Sequence, residues 1–278
     1  MISQEALVAA GAAFSLIVMV GGVAVALGME ALAPRRVRSG PRLWRWINNL
    51  GLAAVNEGLL YAITPFAVAV AMSMTGGQNI GLLPRLGVSS LTAFVATVLC
   101  LEFAGYWIHR LFHAVPVLWR IHAVHHADVD VDATTAHRHH PLEPLIVTAL
   151  LMPVVLLLGP APTITLFYGF LRTSIAAFSH ANLRLSEALE QALGWVVVTP
   201  DFHRVHHSAV RPFTDSNFSN TVPLFDHLFG TARSWNDAQQ TSMSLGLEYW
   251  REPVDSRIDR LLVAPLAYPS RFGRDRVN

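Results

Sequence analysis

The chain of 278 residues is 53% hydrophobic and only 14% charged, and its formal net charge is +1. Its mean hydropathy is positive, which lies outside the range typical of soluble globular domains and indicates a membrane protein. All twenty basic residues are arginine, and they form no basic block that would indicate nucleic-acid binding. The chain has a single cysteine, Cys100, which excludes a disulfide framework, a cysteine-ligated iron–sulfur cluster and a CxxC site.

Three apolar stretches near the N-terminus are each long enough to cross a hydrocarbon core of about 30 Å. They cover residues 6–28, 51–74 and 88–108. A cleaved signal peptide is an alternative for the first stretch, but "MISQE" lacks the basic region that such a peptide needs. The loop after the first stretch carries five arginines in residues 35–45, whereas the loop after the second carries only Arg85. The positive-inside rule therefore predicts that the N-terminus is outside and that the third helix returns to the cytoplasm.

A further apolar stretch, residues 144–179, is interrupted by "GPAP". Its halves are short for separate spans, so we expect a helical hairpin that enters and leaves by the same face. All histidines would then lie on the cytoplasmic side. The predicted fold is an all-α, multi-pass membrane bundle of about three spans plus a hairpin, with a cytoplasmic histidine-rich helical cap. Its parts are N-terminal transmembrane helices (1–108), a histidine-box catalytic region (109–235) and a C-terminal cytoplasmic tail (236–278).

Eight of the thirteen histidines fall in three short boxes, "HRLFH", "HAVHH" and "HRVHH". Spacings of i, i+3 and i+4 put the rings of one box on one face of a helix. Pro116 lies between the first two boxes and can break the helix, which lets their faces converge. The third box carries its own helix start, with Thr199 as N-cap and Pro200 at the first helical position.

The boxes indicate a metal site, because packing eight imidazoles together without a metal would cost desolvation and mutual repulsion. Imidazole suits iron, zinc, copper and nickel, but the number of ligands exceeds the four of a tetrahedral zinc ion and favours two ions. Two adjacent ions without cysteine ligands fit oxygen activation by a non-haem di-iron centre. The predicted metal ligands are His109, His113, His122, His125, His126, His140, His180, His203, His206 and His207. Three others, His137, His139 and His227, are expected to be solvated or hydrogen-bonded.

Two carboxylates are predicted to support catalysis by accepting a hydrogen bond from a ligand ring. Glu102 lies two helical turns before His109, and Glu143 follows His140 by three positions, where it could instead cap a helix that begins at Pro141. Weaker candidates for such support are Asp201, Asp226, Asn182 and Asn217. Two ionisable residues in apolar segments, Glu57 and Arg172, could line a substrate tunnel or extend to the membrane interface.

The order and spacing of the boxes resemble the HxxxH, HxxHH and HxxHH pattern of the fatty acid hydroxylase and sterol desaturase superfamily. The similarity extends to the flanks "LWRIHAVHHAD", "RHHPLE", "SHAN", "TPDFHRVHHS" and "DSNFSNTVPLFDHLFGTAR", so that it covers roughly residues 90–235. The chain departs from the family pattern at Phe225, where tryptophan is usual, and at Ser219, where glycine is common.

This resemblance implies a membrane-bound di-iron oxygenase that hydroxylates or desaturates a lipid. The cofactors would be two iron ions, with O₂ as co-substrate, and the partners a lipid substrate, the bilayer and a separate redox protein of a ferredoxin- or cytochrome-type reductase system. No nucleic-acid partner is expected. Two alternatives stay open: a metal-binding or transport protein, whose ligands would be expected within the spans, and a zinc-dependent membrane hydrolase, although no HExxH motif is present.

Overall fold

The structure is a computed structural model that describes residues 4–75 and 81–268. Within these residues the chain is helical, with two isolated β-bridges and no strand, so the predicted all-α class is confirmed. Two short 3₁₀ helices lie at Ala133–His137 and Pro253–Ser256. The α-helices are α1 (Gln4–Leu32), α2 (Arg42–Thr75), α3 (Leu82–Leu86), α4 (Ser90–Ala114), α5 (Pro116–His126), α6 (Leu142–Leu158), α7 (Pro162–His180), α8 (Glu187–Leu193), α9 (Pro200–His206), α10 (Leu224–Leu228), α11 (Asp237–Ser242) and α12 (Ile258–Val263).

Three helices are long and apolar enough to cross a membrane, which confirms the three predicted spans. Their apolar segments are Ala10–Leu32, Arg42–Ala67 and Ser90–Ala114. Helix α2 begins nine residues before the predicted apolar stretch, because its polar first turns contact other parts of the protein. The loop expected at 75–87 contains helix α3, and its residues 76–80 lie outside the described residues.

The predicted hairpin is formed by α6 and α7. Helix α6 ends at Leu158, and the next residue, Gly159, has the left-handed φ of 59° that favours glycine. Helix α7 begins with Pro162 in its first turn. Helix α6 packs against α4, whereas α7 packs mainly against α1. The two helices of the hairpin therefore diverge and leave a cleft between them.

Outside the long helices, the chain folds into a cap at the histidine end of the bundle. The arginine-rich loop, residues 35–45, is docked on this cap. Arg35 forms an ion pair with Asp201 at 2.9 Å, and Arg45 pairs with Asp128 through two bonds of 2.7 and 2.8 Å. The loop and the histidine cap consequently lie at the same end of the bundle.

The ion pair between Arg45 and Asp128 is fully buried. Burial alone would raise the pKa of Asp128, but the guanidinium of Arg45 holds it well below its usual range. Asp132 accepts a further bond from Arg45 at 3.1 Å. Because each charge is paired and hydrogen-bonded, this cluster fixes the start of α2 to the segment that follows α5.

The segment expected as a polar tail is packed into the cap over residues 236–268. The indole N–H of Trp119 donates to the hydroxyl of Tyr268 at 2.7 Å, and Tyr249 donates to the same hydroxyl at 2.6 Å. Leu261 is buried against Leu52 of α2. This segment therefore contributes to the core, and the division of the chain into three parts stays a prediction.

Candidate metal centre

The three histidine boxes lie on α4, α5 and α9. Helix α4 ends at Ala114 and α5 begins at Pro116, so the predicted break between the first two boxes is confirmed. The predicted start of the third box is also confirmed, since the hydroxyl of Thr199 accepts the N–H of Phe202 and Pro200 occupies the first turn. Each box thus has a helix of its own, which is free to point its rings at a common centre.

Nine of the ten predicted ligands form two adjacent groups, within each of which the candidate ligand atoms lie within 4.8 Å of one another. Group A consists of His109, His113, His122, His126 and His206, and group B consists of His125, His180, His203 and His207. All nine rings are buried or nearly so.

The HxxHH spacing distributes each box between the two groups. In "HAVHH", the i, i+4 pair faces group A and His125 faces group B. In "HRVHH", the i, i+4 pair faces group B and His206 faces group A. Rings of the two groups touch as a result: the centroids of His126 and His207 are 4.8 Å apart. Two interleaved boxes therefore hold the two groups side by side.

Hydrogen bonds on the outer side of the rings fix which nitrogen faces inward. The Nδ1 atoms of His109 and His206 lie 2.7 Å from the carbonyl oxygens of Phe218 and Ser216, and His180 makes the same contact with a carbonyl of its own helix. Because a carbonyl only accepts, these Nδ1 atoms carry the proton and donate it. The inward-facing Nε2 atoms of these neutral rings are consequently unprotonated.

The spacing of the inward nitrogens fits metal ligands. In group A, the Nε2 of His122 lies 3.1 Å from that of His109 and 3.2 Å from that of His126. Nδ1 of His109 and Nδ1 of His122 each donate to an oxygen, so the Nε2 atoms of these two rings are both unprotonated and cannot hydrogen-bond to each other. Nitrogens bound at about 2.1 Å to one ion at right angles are about 3 Å apart. Among the described residues, the Nε2 of His206 and both ring nitrogens of His207 are buried without a hydrogen-bond partner. The donor set therefore fits bound metal ions.

The electrostatics of the cap keep these rings neutral. Burial lowers the pKa of His125, His126 and His206 well below the usual value, and repulsion from neighbouring imidazoles lowers it further. The same causes act on His203 and His207. Neutral imidazole is the form that binds a metal ion.

Glu143 joins group A to the ring of His139. Its Oε1 accepts from Nδ1 of His122 at 2.8 Å and from Nδ1 of His139 at 2.9 Å. Burial alone would raise the pKa of Glu143, but the two rings hold it well below its usual range. His139 also stacks on His125 of group B, with centroids 4.4 Å apart. Glu143 therefore orients one ring of group A and, through His139, supports one ring of group B.

Two predicted site residues have different partners. The Nε2 of His140 donates to the carbonyl of Leu262 at 3.1 Å, and its Nδ1 accepts the N–H of Leu142, so the geometry does not bring this ring to either group. Glu102 accepts from the hydroxyls of Tyr168 and Thr221 and from the N–H of Thr221. The expected bond from His109 to Glu102 is not formed, because that ring donates to a backbone carbonyl instead.

The segment "DSNF", residues 215–218, supplies acceptors that the sequence did not reveal. A carboxylate oxygen of Asp215 lies 3.0 Å from Nδ1 of His113. The carbonyls of Ser216 and Phe218 accept from His206 and His109. Asn217, with a φ of 53°, and Asp226 hold this segment through bonds to the backbone. The family's D-x-N segment was the available signal, but a carbonyl acceptor has no residue identity that a sequence could show.

The other histidines and weaker candidates have structural contacts. His227 stacks on Trp195 with centroids 4.2 Å apart, and His137 lines the cleft described below. Asp201 pairs with Arg35, and the side chain of Asn182 bonds to the backbone of the arginine-rich loop. In the described part of the chain, the four weaker candidates for supporting a ligand ring therefore bond to groups other than histidine.

The cleft between the diverging helices of the hairpin leads to both groups. It has a volume of about 300 Å³ and is bounded by α4, α6 and α7, with Leu60 of α2. Apolar side chains such as Phe112 and Val147 form much of its wall, and rings of both groups also line it. Arg172 lines this cleft, as one reading of the sequence anticipated; Glu57 is not among its lining residues.

Comparison with known proteins agrees with this geometry. The chain is similar to alkylglycerol monooxygenase of Xenopus tropicalis, with 28% identity over 196 residues, which are 68% of this chain and 43% of that protein. It is 30% identical over 178 residues to the ornithine lipid hydroxylase OlsE of Rhizobium tropici, covering 63% of this chain and 50% of OlsE. A very-long-chain aldehyde decarbonylase of rice, GL1-6, is 26% identical over 163 residues, 55% of this chain and 25% of the relative.

These matches span half or less of the length of the relatives. No solved structure matches the chain. The family model described as fatty acid hydroxylase matches residues 94–231, a region that contains all three boxes and both histidine groups. On these boxes, this match and these relatives, the chain belongs to the fatty acid hydroxylase superfamily.

Proposed function

We propose that this protein is a membrane-bound di-iron oxygenase that hydroxylates or desaturates a lipid. The observation that carries the proposal is the pair of adjacent, buried histidine groups whose rings line a largely apolar cleft. The cleft lies between helices of the size and composition of membrane segments, so an alkyl chain could enter it from the bilayer.

The histidines of group A and of group B would each hold one iron ion. Iron supplies the one-electron chemistry and the activation of O₂ that no amino-acid side chain provides. The protein's own residues keep the ligand rings neutral, direct their Nε2 atoms inward and surround the reacting carbon with apolar side chains. Glu143 and the carbonyls of residues 215–218 hold the ring orientations.

The substrate class is proposed from the cleft and from the relatives. Two relatives are named for oxidation of lipids, an alkylglycerol and an ornithine lipid. The two electrons that the reaction with O₂ requires are proposed to come from a separate redox protein. This partner would dock on the cap, because the two histidine groups lie there.

We propose that the cap faces the cytoplasm. The arginine-rich loop and the cap lie at the same end of the bundle, so the positive-inside rule applied to the loop assigns both to the cytoplasmic side. The C-terminus would lie on that side as well, and the N-terminus on the other.

The test combines metal analysis with oxygen uptake. Purified protein should contain about two iron ions per chain, and its O₂ consumption should depend on a lipid and a reductant. His125→Ala and His206→Ala, one in each group, should each lose iron and activity. The matched control is His140→Ala, which should retain both ions, because His140 bonds to the backbone outside the groups.

The alternatives predict different outcomes. Two bound zinc ions with lipid hydrolysis and no O₂ uptake would indicate a hydrolase, and metal binding without either reaction would indicate a metal-binding or transport protein. Full turnover by His125→Ala or His206→Ala would refute the assignment of the groups.

A further inference from the structure

Arg172 lies in the wall of the cleft, and no described residue of opposite charge pairs with it. It is half-buried in the middle of α7, and among the described residues it makes neither an ion pair nor a hydrogen bond. The buried arginines of the cap differ in this respect. Arg35, Arg45 and Arg204 each pair with an aspartate, and Arg138 donates to the carbonyl of Val124 and to the amide oxygen of Asn49.

The position of Arg172 relates it to the histidine groups. Arg172, Ala176 and Ser179 follow one another at spacings of four and three residues, so they share the face of α7 that lines the cleft. Arg172 precedes His180 of group B by eight residues, which is about 12 Å along the helix axis.

An unpaired guanidinium in an apolar cleft is unfavourable. Arginine stays protonated at any physiological pH, and a charge among apolar side chains costs free energy unless it is paired. The carboxylate in the wall of the cleft belongs to Glu143 and accepts from two histidine rings, and it lies beyond ion-pair distance of Arg172. The cleft therefore carries a positive charge that an anionic ligand would neutralise.

We propose that Arg172 binds the carboxylate or phosphate group of an anionic lipid and that this contact selects the substrate. A guanidinium forms two parallel hydrogen bonds with either group. The inference rests on the proposed function, since it takes the cleft as the substrate site. It gives the neutral polar side chains in the same wall, Thr173 and Asn220, a ligand to which they can hydrogen-bond.

The experiment measures lipid binding and does not require turnover. Iron-loaded protein in phosphatidylcholine nanodiscs is titrated with oleate or oleyl alcohol, and in a second arm with dioleoyl phosphatidic acid or dioleoylglycerol. The variants are Arg172→Gln and Arg172→Lys. The matched control is Arg85→Gln, which removes an exposed arginine outside the cleft. Iron content and the unfolding temperature of each variant establish that it is folded.

The wild-type protein should bind the anionic member of at least one pair about tenfold or more tightly than the neutral member, the range expected for a charge-assisted contact. The arm that shows this preference identifies the anionic group. Arg172→Gln should lose it, Arg172→Lys should retain part of it because the charge remains without the fork, and Arg85→Gln should keep it.

Equal affinity for the anionic and neutral members of both pairs in the wild-type protein would overturn the inference, and this result does not depend on whether a variant folds. An unchanged preference in folded Arg172→Gln would also overturn it. Arginine-dependent binding in a protein that never consumes O₂ would support the inference and refute the proposed function, whereas lipid oxidation without the preference would do the reverse.

Discussion

Removing the charge of Glu143 should weaken iron binding while leaving the donor set complete. Oε1 of Glu143 lies 2.8 Å from Nδ1 of His122. In Glu143→Gln an amide oxygen can accept at the same position, but without a negative charge it no longer makes the ring of His122 more basic. Loss of such a supporting partner reduces metal affinity by about 10- to 100-fold, which is about 1.4 to 2.7 kcal/mol. Because His122 belongs to group A, the ion of that group should dissociate first.

The assay is iron content per chain after equilibration with increasing chelator. The wild-type protein should lose both ions over a narrow chelator range, and Glu143→Gln should lose one ion at a roughly 10- to 100-fold lower chelator concentration. The matched control is Glu102→Gln. Glu102 is also a buried carboxylate, but its hydrogen bonds in the described part of the chain are to Tyr168 and Thr221 and not to a histidine.

Glu102→Gln should therefore retain iron as the wild-type protein does, although its unfolding temperature should fall. The reasoning fails if Glu143→Gln retains iron equally well, or if Glu102→Gln loses as much iron as Glu143→Gln. The second result would mean that removing a buried carboxylate releases iron by destabilising the whole fold, and not by weakening the hydrogen bond to a ligand ring.

Three further predictions concern stability and orientation. The pKa values of the rings in "HRVHH" are well below the usual value because burial and mutual repulsion disfavour their charged form. As pH falls below about 6.5, the unfolded chain binds protons that the folded chain does not, so metal-free protein should lose up to about 1.4 kcal/mol per ring for each pH unit; an unfolding temperature that stays level from pH 8 to 5.5 would contradict this. Asp128→Asn leaves Arg45 buried without its main counter-ion and should cost about 3–5 kcal/mol of unfolding free energy, whereas Asp259→Asn, in an exposed pair with Arg257, should change thermal unfolding little. A reporter that works only in the cytoplasm should be active when fused to the C-terminus and silent at the N-terminus, and the opposite pattern would show that the cap faces the other side.

The faces of the helices could be predicted from the sequence, because a helix places residues three and four apart on one side whatever it packs against. This rule gave the three boxes and, with the help of Pro116, their convergence. The rule could not predict that each HxxHH box divides between two groups. His125 and His206 each precede the last histidine of their box by one position, and which group they join depends on the helix that packs opposite.

Partners that come from distant parts of the chain were the ones missed. The predicted bond between Glu102 and His109 follows from the geometry of α4 alone. In the structure, the segment containing Thr221 folds onto α4, and Thr221 donates to the carboxylate of Glu102. His140 has a histidine-rich neighbourhood in sequence, but its ring turns to the carbonyl of Leu262, which is far along the chain. Local spacing carries no information about either contact.

The arginine-rich loop shows why a charge pattern can have two causes. Its imbalance was used to predict orientation, yet Arg35 and Arg45 are also required for contacts with aspartates of the cap. Such residues would be retained for folding even without an effect on topology. The reporter fusions separate the two causes, since the ion pairs form whichever way the bundle is inserted.

The diverging hairpin links support of the metal groups to access of the substrate. Helix α6 carries Glu143 to group A, and α7 carries His180 to group B. Each helix is held by a different neighbour, α4 or α1, so the space between them becomes the cleft. A substitution that drew α6 towards α7 would therefore narrow the path of the alkyl chain and also move Glu143 relative to His122. Variants at the cleft wall should accordingly be judged by iron content together with turnover, because a loss of activity with both ions retained is the result that assigns a residue to substrate binding.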